Sequence, residues 1–311
     1  MLELTLAETI LPCGAIHWKT STEGAGFVTV RTPDSGTVPQ PGSALTLRLN
    51  GRAFFTGYLF SVERKDGERI LTAYDQLRYL LYRDTKVFTG RTAGEMLREI
   101  CGERGLTTGT VEDGGYRIPS LIMDNQPLLD ILLAAMDQTE AASGNKLVLL
   151  DEDGKLSMRL ARSLRLDTVL NGSGLVSGYS LRKDIGTDTY NRVRIIRKNR
   201  TTGYRDIFVK EDAASISQWG VLQYCAQVTQ NTTDGEIAAL MESVLGQKNR
   251  AYTAMTLHCA GEIGFRAGWS GRVELPEEGV SGWYQILEAE HQLEDGGHRM
   301  TLTMAGTGEA E

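Results

Sequence analysis

Residues 44–75 read ALTLRLNGRAFFTGYLFSVERKDGERILTAYD and carry the strongest fold signal in the chain. The dipeptides Asn50-Gly51 and Asp66-Gly67 favour two-residue hairpin turns, and they separate runs of β-branched and aromatic residues. Every second position from Leu45 to Leu49 is leucine, so one face of the first strand is apolar. The segment therefore predicts an antiparallel meander packed on one side.

The middle of the chain is predicted to contain two helices and a hairpin. Thr92 and Glu95 form a capping-box pattern, and the helix that follows ends at Gly105. A second apolar stripe has Pro127 in its first turn and ends at Gly144. The segments KLVLL and KLSMRL, joined by the acidic turn DEDG, then predict a hairpin beside these helices.

From about residue 165 the sequence is β-rich again, and one helix interrupts it after a second capping box, Thr233 to Glu236. The predicted fold class is therefore mixed α+β and mainly β. The predicted domains are a first β domain at 1–80, an α+β domain at 81–164 and a second β domain at 165–311 with an inserted helix at 232–248.

The two β-rich ends of the chain resemble one another. The first end continues from its opening strand with GYLFSVER, Asp66-Gly67 and RILTAYD, and the second has GRVELP, GWYQILEAEHQL, a turn at 295–297 and HRMTLTMAG. Turn chemistry and order agree, although few residues are identical. Two interpretations stay open, namely a chance likeness between two meanders and a duplicated small barrel with the helical region inserted between the copies.

The composition argues against several function classes. The chain has 311 residues, of which 41% are hydrophobic and 23% charged, as in folded globular proteins. Its net charge of −7, without a cluster of Lys or Arg, argues against nucleic-acid binding. No apolar run approaches the roughly 20 residues of a membrane span. The cysteines are widely spaced and are expected to be buried free thiols: Cys13, Cys101, Cys225 and Cys259.

The segment HQLEDGGHRMTL, residues 291–302, is the one place that suggests a metal or acid–base site. Its candidate ligands are His291, His298 and Asp295, with Glu294 beside them. A hairpin turn at 296–297 is the preferred interpretation because it pairs charge with charge and apolar with apolar residues. The predicted partners are Glu294 with Arg299, Leu293 with Met300, His291 with Leu302, and Ala289 with Met304.

In that register the two histidines are about 13 Å apart along the strand, too far to share a metal ion. The alternative turn, Asp295-Gly296, pairs Leu293 with His298 and separates the histidines by only roughly 7 Å. We predict a structural hairpin without a metal site.

The remaining candidate sites are weaker. His258 and Cys259 are neighbours on a predicted strand and must point to opposite faces, so they cannot form a nucleophile–base pair. His17, next to Trp18, is expected to be a packed or rim histidine. The acidic turn at 151–154 lacks the rest of a calcium-loop pattern and is expected to be a hairpin tip. No GxSxG, HExxH, P-loop or dinucleotide motif occurs, so we predict neither an enzyme nor a cofactor.

Taken together, several segments resemble the XkdQ/YqbQ-type tail proteins of prophages and phage-tail-like bacteriocins. The resemblance follows chain order over most of the sequence and is carried by residues 74–106 (YDQLRYLLYRDTKVFTGRTAGEMLREICGERGL), 116–139 (YRIPSLIMDNQPLLDILLAAMDQT), 146–159 (KLVLLDEDGKLSMR), 215–224 (SISQWGVLQY) and 279–306 (GVSGWYQILEAEHQLEDGGHRMTLTMAG).

This family resembles the baseplate hubs of contractile tails. The resemblance implies that both β domains are small tube-type barrels and that three chains form a ring of six barrels. Such a homotrimer would join the sixfold tail tube protein to the threefold central spike protein, without sequence-specific nucleic-acid binding or membrane insertion. It would be made in the bacterial cytoplasm and then become part of the tail baseplate. Any wall-degrading activity is expected on a partner, and acidic side chains are expected on the inner wall of the ring.

A second function class also fits the sequence. A cell-wall or glycan-binding module would use exposed tryptophans as stacking platforms, and Trp219, Trp269 and Trp283 are the candidates. Core packing is the simpler role for such residues. Mass measurement in solution and negative-stain images discriminate between the two classes, because a trimer with a central opening favours the hub and a monomer that binds peptidoglycan favours the module.

Overall fold

The computed structural model describes residues 1–36, 38–172, 174–199, 203–294 and 296–306. Within these ranges the protein is mainly β with few helices, so the predicted fold class is confirmed. The strands form one large sheet and three small ones.

The first β unit begins the chain and contains the predicted meander. Its strands are β1 (Leu2–Leu6), β2 (Thr9–Leu11), β3 (Ile16–Ser21), β4 (Phe27–Pro33), β5 (Ala44–Leu49), β6 (Arg52–Lys65) and β7 (Glu68–Tyr74). Both predicted hairpins are present, because Leu49 pairs with Arg52 and Lys65 pairs with Glu68 across their turns. The alternating leucines point inwards, and Leu45 and Leu47 are fully buried. Burying each such side chain stabilises the unit by about 1.5–3 kcal/mol.

The middle region combines a two-stranded ribbon, a three-stranded sheet and two packed helices. A 3-10 helix, Gln76–Leu81, leads into it. Its elements are β8 (Arg83–Arg91), α1 (Ala93–Arg104), β9 (Thr108–Val111), β10 (Ile118–Pro127), α2 (Leu128–Ser143), β11 (Leu147–Glu152) and β12 (Lys155–Leu160). The Thr92–Glu95 capping box is formed, and Gly105 and Gly144 end the two helices as predicted. Pro127 lies at the N-cap of α2 rather than in its first turn.

Two strands, β13 (Arg165–Asn171) and β14 (Val176–Asp184), precede a small α/β unit. That unit consists of β15 (Arg192–Lys198), β16 (Arg205–Glu211), α3 (Ala213–Trp219), β17 (Gln223–Val228) and α4 (Asp234–Lys248). Strand β15 lies between β16 and β17, and Val193 and Ile195 pack against Ile237 and Met241 of α4. These strands were predicted as part of the second β domain, with one helix among them. Helix α3 is additional to that prediction, because its seven residues show no clear helical period.

The chain then completes a second β unit. Its remaining strands are β18 (Tyr252–Ala260), β19 (Ser270–Leu275), β20 (Val280–Glu294) and β21 (Gly297–Gly306). These four strands form the sheet together with β13 and β14. Their buried side chains, with Phe265 from the segment between β18 and β19, make a separate apolar cluster that includes Leu257, Ile286 and Leu302.

The two β units share one strand order. In the first unit the neighbours are β1-β5-β6-β7-β4-β3, and in the second they are β13-β19-β20-β21-β18-β14. When the three-residue β2 of the first unit and the inserted α/β unit of the second are left out of the count, each unit therefore runs 1-4-5-6-3-2. Neighbours are antiparallel in both units, except that β13 is parallel to β19 whereas β1 is antiparallel to β5. The α/β unit lies between β14 and β18, where the first unit has a short turn between β3 and β4.

The correspondence extends to individual residues before the fourth strand of each unit. Gly42 has φ 92° and Gly268 has φ 91°, a region that favours glycine. The Gly42 N–H donates to the carbonyl of Leu59 at 2.7 Å, and the Gly268 N–H donates to that of Ile286 at 2.8 Å. A common order with matching backbone geometry supports duplication over a chance likeness.

Candidate functional site at the junction of the two β units

Strand β20 of the second unit pairs with β3 of the first and makes the two units one 13-stranded sheet. The pairing is antiparallel and places His291 opposite Trp18 and Leu293 opposite Ile16. Leu293 belongs to the apolar cluster of the first unit although it lies on a strand of the second. The junction is therefore part of a hydrophobic core, and separating the units would expose it.

The buried face of the junction contains a stacked pair of rings. Trp18 and His291 are almost completely buried, with ring centroids 4.6 Å apart and an interplanar angle of 23°. Phe54 packs on the indole, with its ring centroid 5.1 Å from that of Trp18. A stacked aromatic pair contributes about 0.5–1.5 kcal/mol beyond the area that it buries.

The exposed face of the junction carries one ion pair and one hydrogen-bonded pair of polar side chains. Lys19 Nζ lies 3.0 Å from Glu288 Oε2, and His17 Nε2 lies 2.7 Å from Glu290 Oε1. Each pair is partly exposed, so neither is expected to stabilise the junction by more than about 1 kcal/mol. These side chains instead fix the register of the β3–β20 pair, because a shift of one residue would turn them towards the core. His17 is thus a rim histidine, as predicted.

The hydrogen bonds of His291 fix its tautomer. His291 Nε2 lies 2.8 Å from the carbonyl oxygen of Phe265, which only accepts, so Nε2 carries the proton. Nδ1 is then an acceptor, and His298 Nε2 donates to it at 3.0 Å. Both ring nitrogens of His291 are therefore used in hydrogen bonds inside the protein.

Burial controls the titration of the two histidines. It lowers the pKa of His291 to about 4, and the nearby charges of His298 and Arg266 act in the same direction. The bond to the Phe265 carbonyl opposes this shift without cancelling it. Burial also lowers the pKa of His298. At neutral pH the pair is uncharged, which suits a hydrogen bond from one imidazole to the other.

The preferred register of this hairpin was wrong. The structure pairs Leu293 with His298, Gln292 with Arg299 and His291 with Met300, which is the alternative that the sequence analysis ranked second. Glu294 pairs with Gly297, so the turn is two residues long, the length that Asp-Gly sequences favour. The prediction judged strand pairs alone and could not foresee that Trp18, a distant residue in the chain, provides an apolar partner for His291.

A metal site needs more ligands than this arrangement offers. Among the described residues there is no group of three or more His, Cys, Asp or Glu side chains that could hold an ion. Asp295, the third predicted candidate, lies outside the described residues. Glu294 is exposed at the end of β20. The hairpin contributes a hydrogen-bonded histidine pair in which His291 is buried and His298 is half-buried.

A second contact, which the sequence analysis did not anticipate, joins the middle region to the first β unit. Asp151 is at the predicted hairpin tip and accepts hydrogen bonds from the backbone N–H of Gln76 at 3.1 Å and of Gly154 at 2.7 Å. Burial raises its pKa to about 6. Burial and the charge of Asp151 also raise the pKa of Asp75, which accepts from Gly26 N–H at 2.8 Å. Both carboxylate oxygens of Asp151 are therefore used in backbone hydrogen bonds inside the protein.

The other predicted residues are spread over the fold. His258 is exposed and Cys259 is buried on opposite faces of β18, as predicted, and burial raises the pKa of Cys259 to about 12. The expectation of four buried thiols was wrong for Cys225, which is exposed because β17 alternates exposed and half-buried positions, and for Cys13, which is half-buried in a loop.

The three candidate tryptophans do not form an exposed platform. Trp219, Trp269 and Trp283 are all half-buried. The guanidinium of Arg165 lies 4.7 Å from the centroid of the Trp283 ring and covers it. Trp269 packs against the apolar cluster of the second unit. This arrangement fits core packing better than sugar stacking.

The fold is that of phage tail proteins. The tail protein of Neisseria meningitidis MC58 superposes with a TM-score of 0.72 at 13% identity, over 99% of this chain and 96% of that one. A type VI secretion component of E. coli, described as similar in structure to the T4 bacteriophage tail proteins gp27 and gp5, gives a TM-score of 0.61 at 9% identity over 97% and 76% of the two chains.

Sequence comparison then gives the family. The family model described as YQBQ-like matches residues 16–305, so the chain belongs to the YQBQ-like family. The phage-like element PBSX protein XkdQ of Bacillus subtilis is 26% identical over 264 residues, which cover 84% of this chain and 80% of XkdQ. No helix in the described part of the chain is long and apolar enough to cross a membrane.

Proposed function

We propose that the protein is a non-enzymatic structural hub of a contractile tail baseplate, in which three chains form a ring of six β units. One face of the ring binds the tail tube protein and the other binds the central spike protein. The observation that carries the proposal is the strand order common to the two β units. In this proposal each chain has three domains, namely the first β unit (1–80), the α+β domain (81–164) and the second β unit (165–311).

The duplication explains how one chain can serve two symmetries. A sixfold tube needs six near-equivalent surfaces around one axis, and three chains with two alike units each supply six. The same three chains keep threefold symmetry through the parts that are not duplicated, namely the middle region and the α/β unit. The unlike parts are therefore suited to a threefold partner, and the β units to a sixfold one.

The relatives support this role. XkdQ is by its description part of a phage-like element, and the E. coli protein belongs to a type VI secretion system and is likened to tail proteins of phage T4. We infer that this chain is likewise made in the bacterial cytoplasm and built into a tail or tail-like particle. Because the three candidate tryptophans are half-buried, they do not favour the glycan-binding alternative.

Native mass spectrometry of the purified chain, alone and mixed with a purified tail tube protein from the same bacterium, tests the proposal. The expected species contains three 34.2 kDa chains, either alone or with the tube protein bound. A chain that remains a monomer in both samples at concentrations up to about 0.1 mM, well above the micromolar range of specific contacts, contradicts the proposal. Binding to purified peptidoglycan by such a monomer would favour the glycan-binding class.

A further inference from the structure

One edge of strand β6 is unpaired where the equivalent edge of β20 is occupied. Along one side β20 pairs with β21, and along the other it pairs first with β19 and then, at residues 288–293, with β3. Strand β6 pairs with β7 on one side and with β5, up to Tyr58, on the other. Beyond that point no described strand pairs with the second side, and Ser61 and Glu63 are exposed.

A matching edge is unpaired at the other end of the sheet. Strand β14 is the equivalent of β3, and among the described strands it pairs only with β18. Most of its residues are exposed or half-exposed, and the side chain of Arg182 is 70% exposed although it forms an ion pair with Asp184 of the same strand. Open strand edges are surfaces on which another strand can form backbone hydrogen bonds.

Residue equivalence between β6 and β20 follows from their bulges. In β6 the register shifts between Leu59 and Ser61, and in β20 it shifts between Ile286 and Glu288. Counting outwards from these bulges, Glu63 occupies the position of Glu290. The side chains at both positions are acidic, and they lie on the same face of the sheet.

Residue equivalence between β3 and β14 follows from their pairing partners. Lys19 is opposite Phe27, which is opposite Tyr74. Arg182 is opposite Ala254, which is opposite Ala305. Tyr74 in turn pairs with Tyr58 of β6, and Ala305 pairs with Gln285 of β20. Each of these two residues lies directly before the last paired residue ahead of its bulge, Leu59 or Ile286. Arg182 therefore occupies the position of Lys19, and both are basic.

We propose that β14 of one chain pairs antiparallel with residues 61–65 of β6 in a second copy of this chain, with Arg182 opposite Glu63. Within one chain, Lys19 is directly opposite Glu290 in the β3–β20 pair. The proposed contact repeats that pair between chains, and it rests on the proposed ring of three copies. Three internal and three external junctions then alternate around the ring and leave neither edge open.

Charge favours this register over the slip that moves Glu63 towards Asp184. The pairs it creates are Ser61–Asp184, Val62–Lys183, Glu63–Arg182, Arg64–Leu181 and Lys65–Ser180, in which no like charges face each other. A slip of two residues in one direction would place Glu63 opposite Asp184 and Lys65 opposite Arg182. Like charges directly opposite each other destabilise a strand pair.

Disulfide trapping tests the contact directly. Directly opposed residues of antiparallel strands have Cα atoms about 4.5–5.5 Å apart, within the range that a disulfide bridges. The variant combines Glu63→Cys and Arg182→Cys with Cys225→Ser, which removes the exposed native thiol. Mild oxidation should give disulfide-linked dimers and trimers on a non-reducing gel. The control combines Glu63→Cys with Lys183→Cys, whose thiols point to opposite faces, and should cross-link at least about tenfold less.

A charge swap provides a second, independent test. Both side chains are exposed, so the variants are expected to fold, which circular dichroism verifies. Glu63→Arg alone should reduce the trimer fraction in native mass spectra at least about tenfold, and adding Arg182→Glu should restore it. A trimer that cross-links no better than the control and does not respond to the swap overturns this contact and leaves the hub proposal standing. A chain that is monomeric throughout, alone and with the tube protein, overturns both.

Discussion

Gly42 and Gly268 donate the same backbone hydrogen bond in the two β units, each to the residue before a bulge. Their φ angles differ by one degree. Their surroundings differ, since a Cβ on Gly268 would lie 2.5 Å from Val148 Cγ1, whereas a Cβ on Gly42 would meet nothing within 4 Å. The backbone requirement is common to both units, and the packing around it is not.

Alanine at these two positions should therefore destabilise the protein to different degrees. Gly42→Ala adds only the strain of a positive φ, about 1 kcal/mol. Gly268→Ala adds the same strain and a clash with the middle region, so its cost should be larger by about 1–3 kcal/mol. Urea unfolding of the two variants measures the difference. Equal losses of unfolding free energy in the two variants would contradict this account, in which the backbone strain is the same at both positions and only Gly268 has a close neighbour.

Removing the partner of His291 should destabilise the junction. His298→Ala leaves Nδ1 of His291 without its donor, which should cost about 1–3 kcal/mol in free energy of unfolding. His298→Gln retains an N–H donor and should lose less than half as much. The comparison by urea unfolding at pH 7.5 separates the hydrogen bond from simple packing. Equal losses in the two variants would show that the bond contributes nothing measurable.

Acid should reveal the buried histidine. Because the pKa of His291 falls from 6.5 in the unfolded chain to about 4 in the folded one, the unfolded chain binds the proton first. The contribution of neutral His291 to the free energy of unfolding is therefore complete above about pH 6.5. It is lost as the pH falls towards 4, by up to about 3 kcal/mol.

Asp151 has the opposite effect. Its raised pKa, about 6, means that the folded state binds a proton more tightly, so this group destabilises the fold as the pH rises from 3.8 through 6. Asp75 acts in the same direction. Asp151→Asn should therefore make the loss of stability between pH 6 and 4 steeper than in the natural protein. Unfolding midpoints at pH 4.5, 5.5 and 6.5 measure the slope, and an unchanged slope would rule out the shift at Asp151.

Leu293 should connect the stability of the two units. This side chain of the second unit is buried in the core of the first, so Leu293→Ala should cost about 2–5 kcal/mol. The neighbouring Gln292 is exposed, and Gln292→Ala should change stability by less than about 0.5 kcal/mol. Calorimetry distinguishes a lower single transition, as expected for a shared core, from separate melting of the units, which would contradict it.

Local signals were sufficient for most elements of the fold. The hairpins at Asn50-Gly51 and Asp66-Gly67 and the capping box at Thr92 depend on residues close in sequence, so turn and cap chemistry predicted them. The acidic turn DEDG was also placed correctly as a hairpin tip between Glu152 and Lys155. The likeness of the two β ends was visible in turn order, although the sequence left its meaning open.

Contacts between distant residues were beyond such signals. The register of the last hairpin depends on Trp18, which is far from His291 in sequence, and on the Phe265 carbonyl. The separate sheet around β15 depends on α4 covering Val193 and Ile195 in place of a barrel core. In both cases a tertiary partner decided between arrangements that had similar local energies.

Cryo-electron microscopy of the purified chain assembled with its tail tube protein tests the central claim most directly. The account predicts a ring of three chains in which six β units lie at near-equal spacing around the axis and each first unit contacts the second unit of its neighbour. A ring in which the two β units of one chain occupy unrelated positions, or particles that contain a single copy of the chain, would contradict it.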